Sequence, residues 1–159
     1  MKILGIQHSI WLKSIHVLLA CIWFGSVLAV ILIYLLTSQS SEELIIRNNS
    51  ELMEKIDLFI IVPSSVSCYF FGLWISWKTN WGFFKYKWVV FKLIMGSALI
   101  LFGLFFLGPW ILEANSAAEL SEFQKIQDKL GVSMIVQAFF ITITILVSTI
   151  KPWGKVKTN

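Results

Sequence analysis

The sequence predicts an all-α integral membrane fold: one transmembrane domain over residues 1–159, in which four helices run up-down-up-down with both N and C termini cytoplasmic. Three observations predict it. Four stretches long enough to cross a bilayer are almost free of charge, the lysines fall on alternate connections, and the tryptophans gather where the stretches end. The composition agrees, since 57% hydrophobic residues, 14% charged residues, 8 Trp and 13 Phe are far more apolar than a soluble domain of this length carries.

A run of about 20 apolar residues spans the roughly 30 Å hydrocarbon layer as a helix. Residues 14–36 (SIHVLLACIWFGSVLAVILIYLL), 58–77 (LFIIVPSSVSCYFFGLWISW), 88–112 (WVVFKLIMGSALILFGLFFLGPWIL) and 132–150 (VSMIVQAFFITITILVSTI) qualify, within predicted helices over about 10–36, 56–77, 88–112 and 130–150. Lipid leaves unpaired backbone groups no partner, so the spans are helical. The first stretch follows Lys2 and Lys13 as a secretion signal would, but its apolar run is too long and no small-residue cleavage site follows; it reads as a retained helix.

Orientation comes from the lysines. Lys2 and Lys13 precede helix one, Lys78, Lys85 and Lys87 separate helices two and three, and Lys151, Lys155 and Lys157 follow helix four; these regions contain no acidic residue. The other side carries all nine carboxylates (Glu42, Glu43, Glu51, Glu54, Asp57, Glu113, Glu119, Glu122, Asp128) against Arg47, Lys55, Lys125 and Lys129. The basic side is therefore expected to be cytoplasmic, with the chain a multi-pass protein of the cell (inner or cytoplasmic) membrane. The net charge of +4 reflects topology and contact with anionic membrane lipid, and no nucleic-acid partner is expected. Trp11, Trp77, Trp81, Trp88 and Trp153 are expected to ring the inner face and Trp110 to mark the outer, while Trp23 falls mid-helix.

Both outer connections carry helical patterns. In 116–130 (SAAELSEFQKIQDKL), Ser116 and Glu119 make a capping-box pattern ahead of Leu120, Phe123, Ile126 (or Gln127) and Leu130. Residues 41–56 (SEELIIRNNSELMEKI) repeat it more weakly, interrupted by Asn48 and Asn49. Pro63, followed by Ser64, Ser65 and Ser67, predicts a kink whose freed carbonyls the hydroxyls satisfy. Gln137, Thr142 and Thr144 read as interhelical hydrogen-bond groups. Cys21 and Cys68 lie inside apolar runs and read as small packing residues, and His8 lies outside the span.

Chemistry inside a membrane comes from its ionisable residues, which are costly there. His16 and Lys92 are the two. Counted from Trp11 and Trp88 at about 1.5 Å per residue, they lie roughly 7 Å and 6 Å into the same leaflet. His16, Ala20, Trp23 and Val27 form one stripe of helix one; Lys92, Gly96 and Gly103, flanked by Met95, form a bare stripe on helix three. A flat apolar cofactor fits such a surface with an anionic edge at the lysine and a metal at the histidine. The ordinary readings stand beside it: a hydrogen-bonded packing histidine, a lysine snorkelling to the headgroups, and small residues that let helices pack closely.

The runs LKSIHVLLACIWFGSVLAVILIYL, EKIDLFIIVPSS and WGFFKYKWVVFKLIMG resemble the superfamily that joins HemJ-type protoporphyrinogen oxidases, copper-resistance-D membrane domains and small four-helix bacterial membrane proteins. Lys13, His16, Trp23, Phe24, Pro63, Trp88 and Lys92 match the HemJ-type pattern over roughly residues 10–105; the family's further histidine after the third-helix lysine and its Asn-Glu-x-Pro opening of helix four are replaced by LIMGSALILF and DKLGVSMIVQ. The resemblance implies haem b with its iron on His16, and Lys92 as catalytic residue, as propionate or substrate partner, or as a second iron ligand; the two stripes themselves predict cofactor contacts from Trp23, Ala20, Gly96 and Met95. It implies a haem-binding membrane redox protein, an oxidoreductase of the protoporphyrinogen oxidase kind, with a porphyrin or redox partner and a possible homo-oligomer. The alternative is a non-catalytic bundle serving as assembly partner or small-ligand carrier. Copper transport ranks third, because one membrane histidine, two cysteines and scattered methionines supply few soft ligands at one depth.

Overall fold

The computed structural model describes residues 2–79 and 82–156, and within them the side chains of 2–9 and Asn115 are set aside. Expectations for Trp81, Lys157 and the side chains of Lys2 and His8 therefore lie outside the described residues.

Four rods form the molecule. Helix α1 is Lys2–Thr37; α2 (Glu43–Ile56) runs through a π-turn, Asp57–Ile61, into α3 (Val62–Lys78); α4 (Lys87–Phe102) runs through a second π-turn, Gly103–Leu107, into α5 (Gly108–Ser116); and α6 is Leu120–Ile150. Each rod contains a segment long and apolar enough to cross a membrane: Ile10–Thr37, Glu43–Lys78, Lys87–Ala114 and Leu120–Ile150. Helix α1 packs on α3 and α6, and α4 packs on α6 and α3, so sequential rods are antiparallel neighbours in a closed ring. This is the predicted up-down-up-down bundle.

Both outer connections are helical, as predicted, and continue the spanning rods. In α2 the buried positions Ile46, Ser50 and Met53 recur at helical spacing, and Asn48 and Asn49 do not interrupt it. Asn49 instead donates to Thr37 Oγ1 (2.9 Å), tying α2 back to the end of α1. In α6 the predicted stripe is buried at Phe123, Ile126 and Leu130. The capping box is not formed. Ser116 Oγ donates to the Glu113 carbonyl (2.8 Å), closing the last turn of α5, and Glu119 caps α6 without a side-chain hydrogen bond. The chain breaks between these two residues, which separates the partners that a capping box joins.

Two of the three prolines, Pro63 and Pro109, explain the π-turns. A proline inside a helix removes one N–H and crowds the carbonyl a turn earlier, and an i→i+5 turn relieves that crowding. The Val62 N–H bonds to the Asp57 carbonyl just before Pro63, and the Gly108 N–H to the Gly103 carbonyl just before Pro109. Ser64 and Ser65 bond to carbonyls of their own preceding turn, Ser64 Oγ to Ile60 and Ile61 and Ser65 Oγ to Val62, and not to the Leu58 or Phe59 carbonyl that the absent Pro63 N–H leaves.

The apolar core lies toward the acidic end, where Trp23, Val27, Val30, Met53, Leu107, Phe123, Met134 and Ile141 interlock. Toward the basic end the buried apolar cluster shrinks to Trp88, Val89 and Val147.

The basic end is closed by the chain's own tail. Lys151 ends α6 with a left-handed φ of 49°, which turns residues 152–156 back across the start of α4. The Val156 N–H bonds to the Lys85 carbonyl (3.0 Å), and Trp153 meets Phe91 edge-on with centroids 5.5 Å apart. Trp11, Trp77 and Trp153 are exposed at this end as expected, but Trp88 is not. It is buried beneath the tail, with Lys92 Nζ at 5.9 Å and Lys151 Nζ at 5.5 Å from its ring, because α4 turns that face to α6.

Candidate functional site

The two ionisable residues singled out from the sequence are brought to one end of the bundle, on different neighbours. His16 of α1 faces α3. Its Nδ1 lies 2.9 Å from the Cys68 carbonyl oxygen and 3.5 Å from Cys68 Sγ, which itself approaches the His16 carbonyl at 3.7 Å. Gly72, one turn on, provides the space: a Cβ there would sit 3.2 Å from His16 Cε1. A carbonyl oxygen only accepts, so this contact is a hydrogen bond when Nδ1 carries the proton. Nε2 then keeps its lone pair, and no hydrogen bond engages it among the described residues.

Lys92 of α4 faces α6. Its ammonium donates to Ser148 Oγ (2.9 Å) and lies over the edge of the Trp88 environment. No carboxylate pairs with it among the described residues; the ion pairs there, Arg47–Glu43 and Lys55–Glu51, sit at the acidic end. Both residues thus lie toward the basic end, His16 against α3 and Lys92 against α6.

The cofactor surface expected on α4 is different. Gly96 is not bare: the ring of Tyr69 from α3 rests on it, and Tyr69 Oη shares a 2.6 Å hydrogen bond with Ser97 Oγ. Gly103 does face open space, but within the second π-turn and nearer the acidic end. Trp23 and Val27 of the helix-one stripe are buried in the apolar core, whereas Ala20 and His16 are half-buried, as is Met95. The structure therefore places His16 and Lys92 toward the basic end and Gly103 nearer the acidic end.

Cys68, Tyr69, Gly72, Ser97 and Ser148 complete the site and were not singled out for it from the sequence. The signal was modest but present, since Tyr69, Ser97 and Ser148 are polar side chains within otherwise apolar spans. Gln137 and Trp23 share a different feature: Gln137 Oε1 and Trp23 Nε1 are buried without a hydrogen-bond partner. Among the described residues no group of three or more His, Cys, Asp or Glu side chains converges.

Four apolar helical spans define a multi-pass helical membrane protein, with the His16–Cys68 and Lys92–Ser148 contacts toward its basic end. Comparisons with family models, with curated proteins and with solved structures return no match.

Proposed function

We propose that this chain is a membrane-embedded binding protein for an apolar ligand with anionic groups, and that haem b is the ligand its residues suit best. One observation carries the reading. The Cys68 carbonyl holds His16 by Nδ1, the arrangement in which an acceptor behind the imidazole orients it and raises the basicity of Nε2 toward a metal. Lys92 supports it, because a half-buried ammonium with a serine and an indole but no carboxylate for company suits an anionic group of a ligand.

The fit to haem has two sides. The donor set suits the iron, through His16, and a propionate, through Lys92. The Gly96 surface does not suit the macrocycle, because Tyr69 covers it. Bound haem would supply reversible one-electron chemistry. The protein's own residues would orient and charge-balance it: Cys68 and Gly72 set the imidazole, Ser148 and Trp88 set the ammonium, and Lys13, Lys78, Lys85 and Lys151 surround the site with positive charge at the end read as cytoplasmic in a bacterial inner membrane. Oxidation of a porphyrinogen rests on the family resemblance and is the first activity to assay once haem is found.

The covered Gly96 favours a second reading, a non-catalytic bundle in which His16–Cys68 and Lys92–Ser148 simply clamp helices together. The test is an absorption spectrum of purified protein after haem-replete expression, oxidised and reduced, for wild type and His16→Ala. A Soret band with sharp reduced α and β bands that collapses in His16→Ala supports haem binding. Featureless spectra from both proteins leave the clamping reading.

A further inference from the structure

Four membrane spans put the basic end of the bundle at a layer of lipid headgroups, and two segments far apart in the sequence meet there. Tyr86, just before α4, and Lys155, in the tail after α6, form an antiparallel bridge. Two bonds flank it: the Lys87 N–H donates to the Gly154 carbonyl (3.4 Å) and the Val156 N–H to the Lys85 carbonyl (3.0 Å). Residues paired across such a bridge share one side, and their chain neighbours turn to the other. Lys85 and Lys87 therefore project together, about 7 Å apart. Gly154 lies across from Lys87, and nothing occupies the space within 4 Å of where its Cβ would be.

The charge of this ribbon is one-sided. Lys85, Lys87 and Lys155 are exposed, and all nine Asp and Glu side chains of the chain belong to the other end. Helix α4 starts at Lys87 with no acidic residue in its first turn, so the positive end of its dipole adds to the lysines instead of offsetting them. Two rings border the cluster. Phe84, next to Lys85, is exposed, and Trp153, next to Gly154, stays partly exposed while its edge-on contact with Phe91 pins the tail to α4.

We infer that the bridge between Tyr86 and Lys155 assembles a docking surface for anionic phospholipid, with the headgroup phosphate between Lys85 and Lys87 and the acyl chains beside Phe84 and Trp153. The charges are complementary, and each lysine near an anionic leaflet is worth about fivefold in affinity. Exposed rings at headgroup level match a lipid, which has an apolar part for them to meet, and not a free phosphate. The tail fixes the geometry. Without the bridge the same charges would ride on two separate segments, and diffuse charge does not select a headgroup.

The test uses the full chain in neutral detergent, titrated with phosphatidylglycerol or with phosphatidylcholine of the same acyl chains, and bound lipid is counted by native mass spectrometry. Expected are retention of phosphatidylglycerol alone and a loss of about fivefold in affinity in Lys85→Gln and in Lys87→Gln. Val156→Pro keeps every charge but removes the N–H that bonds to Lys85, and should weaken binding as much. Lys125→Gln, at the acidic end, is expected to leave it unchanged. All four positions are exposed, so the bundle is kept in each variant. Equal retention of the two lipids, full competition by inorganic phosphate at the lipid's concentration, equal weakening by Lys125→Gln, or wild-type binding in Val156→Pro would overturn the inference. None of these outcomes depends on haem.

Discussion

The ring of Tyr69 rests on Gly96 so closely that a Cβ there would lie 3.1 Å from its Cδ2 and 3.3 Å from its Cε2, while its hydroxyl is bonded to Ser97 on the same helix. One tyrosine from α3 thereby reads two consecutive residues of α4. A methyl at Gly96 has to move the ring and strain that bond, whereas a methyl at Gly103 meets nothing within 4 Å. Gly96→Ala is therefore expected to cost about 1 kcal/mol, the low end of overpacking, and Gly103→Ala to be tolerated. Thermal unfolding in detergent distinguishes them; equal midpoints would mean that Tyr69 does not press on Gly96.

Gly72 controls the imidazole in the same way. Gly72→Ala pushes on His16 Cε1 from 3.2 Å and tilts the ring away from the Cys68 carbonyl. If His16 binds iron, haem retention should fall by roughly tenfold, about 1.4 kcal/mol, with a shift in the reduced α band. Titration of the purified protein with haem measures it, and an unperturbed spectrum in a haem-loaded variant would remove Gly72 from the positioning of His16.

At the acidic end, Gly131 meets the Tyr34 ring face on, and an added Cβ would lie within 2.4 Å of its Cε1 and Cζ. That distance is well inside contact, so Gly131→Ala must displace the ring and break the bond to Asp128. A loss of about 2 kcal/mol is expected. Combining it with Tyr34→Ala should restore part of that loss, because the clash disappears with the ring. Additive losses in the double variant would show that the two residues do not touch.

Lys151 tests the closure of the basic end. Its φ of 49° lies in the left-handed region, where glycine is at ease and β-branched residues are not. Lys151→Val is expected to destabilise by about 1–2 kcal/mol and to loosen the tail, while Lys151→Gly keeps the turn and removes the cation near the indole. Protease sensitivity after α6 is the measure: cleavage should rise in the valine variant and stay near wild type in the glycine variant.

Much of the fold was legible because a membrane span is a local property. Twenty apolar residues spanning the bilayer need no partner to declare themselves, and the stripes over 41–56 and 116–130 carry the helical period within single turns. The capping box failed for the complementary reason. Ser116 and Glu119 have the right identities and spacing, but whether the chain continues or breaks between them depends on how α5 and α6 meet.

The same division runs through the site. The sequence by itself determined that His16 and Lys92 are the ionisable groups within the spans and that they share one depth, because charge in an apolar run and rise per residue are both one-dimensional quantities. Only the tertiary structure decided which helices they face, that Cys68 and Ser148 hold them, that Tyr69 covers Gly96, and that Trp88 turns inward beneath the tail. Those outcomes depend on how each helix is rotated about its axis. That rotation follows from the side chains of its neighbours, and hydropathy does not encode it, because in lipid both faces of a span are apolar.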